Sequence, residues 1–140
     1  MSRPPSTVLL DANSLIALFN TDHEHHVAVS SWLDNYRGNY ATTPITEGAL
    51  ARFAYRNGGT PTDVTQLLRW VAADPKRVFW PDELSMTEID LSSTVGHRQV
   101  TDTYLVSLAK SKGTKVVTFD FGLAILNKDA VIYLGDRNLP

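Results

Sequence analysis

Cysteine is absent from the 140 residues. Disulfides and thiolate-held zinc are thereby excluded, and a reducing cytosol is permitted. Long hydrophobic runs are missing as well. Val8-Leu9-Leu10 is cut short by Asp11, and the opening Met1-Ser2-Arg3-Pro4-Pro5 is short and polar. Neither a signal peptide nor a membrane span is expected. An excess of one charge is also lacking, the formal net charge being −2. A protein that grips nucleic acid by electrostatics alone carries a broader basic footprint. A nuclease working through bound cations escapes that argument, because its carboxylates lower the net charge while the cations reverse the local potential. There is no internal repeat, low-complexity segment or interdomain linker. With 43% hydrophobic residues, one domain over residues 1–140 around a single core is expected.

Short apolar runs alternate with longer helical patterns. Thr7 to Leu10 reads as a buried strand, Asn13 to Phe19 as a short helix, and Thr21-Asp22 as the start of a second helix reaching Tyr36. Tyr40 to Thr42 reads as a strand. Thr43-Pro44 then supplies an N-cap and a first-turn proline for a helix to Arg56, and Thr60-Pro61 does the same for the next. Val64, Leu67, Leu68 and Val71 form that helix's apolar face. Arg77 to Trp80 reads as a strand. Residues 82–96 are the hardest to assign, with short helices near Ser85 to Ile89 and Leu91 to Val95 as options. Thr101 to Ser111 reads as a helix, and Lys115 to Thr118 and Val131 to Leu134 as strands. Such alternation implies an α/β fold with a mainly parallel sheet and helices on both faces. Sites in these sheets lie beyond the carboxyl ends of the strands.

Four acids fall where that edge is expected. Asp11 directly follows the first strand, and Asp120 lies two residues after Thr118. Each has a plain alternative, Asp11 as a helix cap and Asp120 as a turn residue. Glu47 heads the stripe Leu50, Ala51, Ala54 on one helix face, and Asp102 heads Leu105, Val106, Ala109 on another. Acids in a first helical turn are favoured by the macrodipole, but one on the inward face needs a partner. Helices entering βαβ units at this edge would aim all four carboxylates into one cleft. Their repulsion would be relieved by a hard divalent cation, Mg²⁺ or Mn²⁺, one or two per site. Such a cation suits phosphodiester hydrolysis.

The segments VLLDANSLIALF, TPITEGALAR, HRQVTDTYLVSLAKSKG and KVVTFDFGL resemble the PIN-domain ribonucleases, and more narrowly the toxins of VapBC toxin–antitoxin systems of prokaryotes. The resemblance runs over nearly the whole chain in the correct order. It implies a three-layer α/β/α fold with about five strands in order 3-2-1-4-5. It also implies Mg²⁺ or Mn²⁺ dependence, endonucleolytic cleavage of structured RNA such as tRNA or rRNA, a cytoplasmic setting, a homodimer and a VapB-type antitoxin that blocks the acids. Asp11, Glu47, Asp102 and Asp120 match the family's catalytic and metal-binding quartet by position. Asn13 and Thr118 match supporting polar residues. Thr103 departs from the family pattern, standing where many members have alanine.

Other residues are less informative. His23 and His26 share a face of the second helix as read here and could hold a transition metal, although an exposed helix start accounts for them and His25. Arg52, Arg56 and Arg98 are candidates for RNA or antitoxin contact, against simple exposure. Trp32, Trp70 and Trp80 sit in apolar patterns and read as core. Phe19, Phe53 and Tyr55 are candidates for an exposed partner groove. The rival activities are a PIN nuclease of RNA processing that is not a toxin, and a phosphohydrolase using Asp11 as nucleophile. The second class usually needs an aspartate two residues on, where this chain has Asn13. A phospho-acceptor receiver domain is disfavoured because Asp11-Ala12 lacks its acidic pair and Trp80-Pro81-Asp82 is a poor acceptor turn.

Overall fold

A computed structural model of the protein describes residues 6–136; the polar opening Met1 to Pro5 lies outside them. Five strands, β1 (Thr7–Leu10), β2 (Asn39–Thr42), β3 (Arg77–Phe79), β4 (Val116–Thr118) and β5 (Val131–Tyr133), form one sheet in the order β3-β2-β1-β4-β5. Every pairing is parallel. Among the described residues six α-helices surround it: α1 (Ala12–Leu18), α2 (His26–Asn35), α3 (Pro44–Arg56), α4 (Pro61–Ala73), α5 (Val100–Ser111) and α6 (Phe121–Leu126). A parallel sheet covered on both faces needs strands that are apolar throughout. Accordingly Leu9, Ala41 and Val116 face α5 and α6, while Val8, Leu10, Tyr40 and Val117 face the layer containing α1 to α4. This is the three-layer α/β/α architecture.

The helix signals are borne out where a cap and a proline coincide. α3 begins at Pro44 behind Thr43, whose hydroxyl accepts from the Ile45 and Thr46 N–H groups while Thr46 Oγ1 accepts from Thr43 N–H. α4 begins at Pro61 behind Thr60 in the same way, with Asp63 returning the bond. Gly58 follows α3 at φ 90° and Gly113 follows α5 at φ 72°. Those backbone angles favour glycine and end both helices.

Several boundaries are corrected. Residues 21–25 form turns, and α2 starts only at His26. Asn20 Oδ1 accepts from Asp22 N–H, closing a local turn rather than a helix cap. In the hard stretch a single 3₁₀ turn, Met86–Glu88, replaces the first helix considered. Leu91 to Val95 is not helical, and another 3₁₀ turn, His97–Gln99, leads into α5. α6 lies outside the elements expected from the sequence, since Phe-Gly-Leu-Ala-Ile-Leu has no polar face to mark a helical period. Trp70 is corrected from core to surface, being 58% exposed. At 100° per residue it lies about 110° from the middle of the Val64–Leu67–Leu68–Val71 stripe. Trp32 is half-buried and stacked on Tyr36, and Trp80 packs on the α5 side of the core. Phe19 and Phe53 are also half-buried against the core rather than free in a groove, while Tyr55 is exposed.

Candidate active site

Three of the four acids meet where β1 and β4 end side by side. The pairing of Leu10 with Val117 brings the next residues, Asp11 and Thr118, into contact. Thr118 Oγ1 donates to Asp11 Oδ2 at 2.6 Å and accepts from Asp120 N–H at 2.9 Å. One buried hydroxyl therefore ties the first acid to the last. Asp11 Oδ1 accepts from Ser14 N–H at 2.9 Å, and Asp120 Oδ1 accepts from Leu123 N–H at 3.1 Å. Asp11 thus caps α1 and Asp120 caps α6. Each carboxylate is held rigidly by the helix it starts. Asp102 arrives from the first turn of α5, whose inward stripe Leu105, Val106 and Ala109 is buried. With Asp120 it lines a cleft of about 340 Å³ that also includes Ser93, Gln99, Thr103 and Asn127.

The electrostatics identify these three as a group. Asp11 is only 3% exposed. Burial pushes its carboxyl up, hydrogen bonds from Thr118 and Ser14 oppose this, and the Asp120 charge adds to the rise. Burial, followed by the charges of Asp11 and Asp120, pushes the Asp102 carboxyl up to about 6. Desolvation and like charges both disfavour the ionised form.

Glu47 is placed differently. Its Oε2 accepts from Thr42 Oγ1 at 2.7 Å and from Arg77 Nη2 at 2.7 Å, while Arg77 Nε donates to Thr42 Oγ1 at 3.0 Å. The ion pair is mostly buried, at 19% and 22% side-chain exposure. The groove it lines lies between α3 and α4, with Ala51, Leu68 and Val71. The acid that feels the Glu47 charge is Asp82, which sits at the start of α3 against Thr43 and Ile45.

The Asp11–Asp102–Asp120 group suits a hard divalent cation in its chemistry: all donors are carboxylate oxygens, and their mutual repulsion is what a cation removes. Among the described residues no three acid or histidine side chains stand close enough to enclose a metal alone. Mg²⁺ requires less, because it keeps several waters and takes one or two protein carboxylates.

The remaining sequence candidates divide. Thr118 is central. Asn13 is exposed beside Asp120, lining an open cleft with His23, His25 and Phe119. Arg52, Arg56 and Arg98 are exposed. The reading of His23 and His26 as one helical face is overturned, because the helix starts at His26. The His26 Nδ1–H donates to the Ala17 carbonyl at 2.8 Å and docks α2 on α1. Sequence reasoning missed Ser14, fully buried with its Oγ donating to the Val117 carbonyl at 3.0 Å. It also missed Arg77 and Thr42 as partners of Glu47. An arginine opening a strand beside a two-sided apolar sheet was the available signal, since such a cation needs a buried partner.

The PIN domain family model matches residues 8–129. The chain belongs to the PIN-domain family. This PIN domain is 42% identical over 128 residues to ribonuclease VapC29 of Mycobacterium tuberculosis, covering 91% of this chain and 96% of that protein. It is 36% identical over 127 residues to ribonuclease VapC39 of the same organism, covering 84% and 91%. These relatives make it a homologue of the VapC ribonuclease toxins, consistent with a VapBC toxin–antitoxin system. Its fold resembles the crystal structure of Mycobacterium tuberculosis VapC20, a Sarcin-Ricin loop cleaving toxin, with TM-score 0.66, 12% identity and coverage of 85% and 93%. It also resembles a toxin-antitoxin complex from Klebsiella pneumoniae, with TM-score 0.67, 15% identity and coverage of 93% and 99%. At those identities the likeness is one of fold. Among the described residues no helix is long and apolar enough to cross a membrane.

Proposed function

We propose that this PIN domain is the toxin of a VapBC-type pair, a Mg²⁺- or Mn²⁺-dependent endoribonuclease acting on structured RNA and neutralised by a cognate antitoxin. The observation that carries the reading is the grouping of Asp11, Asp102 and Asp120 at the β1–β4 edge, where burial first and then the charges of Asp11 and Asp120 push the Asp102 carboxyl up to about 6. A cleft built this way favours cations strongly, whether a metal ion or a basic antitoxin side chain.

In this reading Asp102 and Asp120, which line one cleft, would hold the cation, and Asp11 would add negative charge to their surroundings. A divalent cation held there would supply Lewis-acid activation of water and stabilisation of charge on the phosphate. The chain's own contribution is positional. Thr118 fixes Asp11 and the Asp120 backbone through one oxygen, and Ser14 locks the start of α1 to β4. Glu47 acts as the fourth acid at a distance: its carboxylate is committed to Arg77 and contributes field and scaffold rather than a metal bond. Arg98, one turn before Asp102, and Arg52 and Arg56 on α3 are the proposed contacts for RNA phosphates or the antitoxin. A homodimer and a single-domain chain complete the proposal.

The test is cleavage of total RNA by purified protein with Mg²⁺, Mn²⁺ or EDTA. Cleavage is expected with metal and absent with EDTA. Loss of a carboxylate beside a metal should cost more than loss of an outer partner, so Asp102→Asn is expected to reduce the rate by at least about a hundred-fold. An Asp102→Asn protein that keeps full activity after repurification would refute the assignment.

A further inference from the structure

An open cleft of about 590 Å³ adjoins Asp120 and is lined by Asn13, His23, Glu24, His25 and Phe119. Phe119 stands between Thr118 and Asp120 in the chain and is half-buried against the α1–α2 side of the core. Its ring is therefore a fixed platform at the edge of the acid group. The His25 imidazole lies flat on it, with centroids 4.2 Å apart and planes 7° from parallel. A third of the His25 side chain, 34%, remains exposed. His23 stands beside it, centroids 5.6 Å apart and tilted by 42°. The His23 Nδ1 accepts from the His25 N–H at 3.0 Å, which leaves the neutral ring's proton on Nε2 as a donor.

None of this is needed to start α2, for His25 makes no side-chain capping bond. The arrangement differs from His26, which is used in packing. Nor does it suit a phosphate. Glu24 Oε1 is 3.5 Å from His25 Nε2 and Asp120 lines the same cleft, so an anion would be repelled. A neutral, flat group with polar edges fits: it can lie on an imidazole already backed by phenylalanine and meet the Asn13 amide and the His23 N–H at its rim. Stacking of bases on aromatic rings tolerates any base and operates on unpaired nucleotides.

We propose that His25, backed by Phe119 and flanked by His23 and Asn13, seats an unpaired nucleobase of the RNA strand next to the phosphate cleaved at the acid group. This rests on the ribonuclease reading above. The test measures binding by fluorescence anisotropy in EDTA, where no cleavage is expected, using oligoadenylate and an abasic strand of equal length. The intact protein is expected to bind the base-bearing strand more tightly than the abasic one by about five-fold or more, the size of one stacking contact. His25→Ala should erase the preference without changing affinity for the abasic strand. His25→Phe should keep it, and circular dichroism melts should show both variants folded. A preference that survives in folded His25→Ala overturns the proposal, as does equal binding of the two strands by the intact protein. Cleavage of unmodified RNA, measured separately, tests the nuclease reading: a protein that cleaves RNA yet shows no base preference leaves that reading standing and removes this one.

Discussion

Asp102 is half-buried among like charges, and its raised carboxyl has a consequence for stability. A group whose folded pKa lies above its unfolded value contributes stability below the unfolded pKa and loses it as pH rises through the folded one. For Asp102 that window runs from the ordinary aspartate value of 3.8 to about 6, and burial moves Asp11 in the same direction. Metal-free protein is therefore expected to melt lower at neutral than at mildly acidic pH on account of these groups. Asp102→Asn should raise the neutral-pH melting temperature by roughly 3 °C, about 1 kcal/mol after allowance for solvent screening, and should do little near pH 4. Scanning calorimetry of both proteins across this range reads the difference. Glu47 predicts a contrast. Replaced by Gln, it keeps a hydrogen bond to Arg77 but loses the charge, at a cost of about 1–2 kcal/mol in denaturant unfolding. Its RNA cleavage should exceed that of Asp102→Asn by at least about ten-fold, since Gln retains the scaffold that positions the site. Equal loss in the two variants would show that Glu47 meets the metal directly.

α3 shows how local chemistry carries function. Its capping box fixes the helix start, and four residues into the helix Glu47 meets Arg77 of β3. Thr43→Ala should cost about 1–2 kcal/mol by removing the cap of a buried helix start, with Thr43→Ser recovering most of it. Urea unfolding followed by far-UV circular dichroism measures both. α3 and α4 are legible because caps, first-turn prolines and apolar stripes agree on them, and α5 because of its apolar stripe alone. The start of α2 lies five residues later than expected because Thr21-Asp22 resembles a helix start and nothing local says that the turn closes on itself, while its end near Tyr36 agrees. α6 escaped because its six residues are held by Asp120, β4 and β5 rather than by an amphipathic pattern of their own.

Across the molecule, the strand order puts β1 and β4 side by side at the centre of the sheet, so helices leave the carboxyl edge in opposite directions there and a crevice opens. Three carboxylates around that crevice should make the protein more stable with metal. A ligand at about a hundred times its dissociation constant adds roughly 2.7 kcal/mol to a state that alone binds it. Titrating Mn²⁺ into the metal-free protein is expected to raise the melting temperature progressively, and to do so much less in Asp102→Asn. A flat response in the intact protein would mean that no cation binds at the cluster.

From order and spacing alone came the parallel α/β sheet, the helix starts marked by threonine and proline, and the positions of Asp11 and Asp120 beyond strand ends and of Asp102 at the head of a buried helix stripe, because each depends on neighbours a few residues away. The partners of those acids did not. That Thr118 bridges Asp11 and Asp120, that Arg77 claims Glu47, and that Phe119 carries His25 are contacts between residues distant in the chain or set by side-chain reach. Burial and charge balance choose among such contacts only once the sheet and its helices have closed around them.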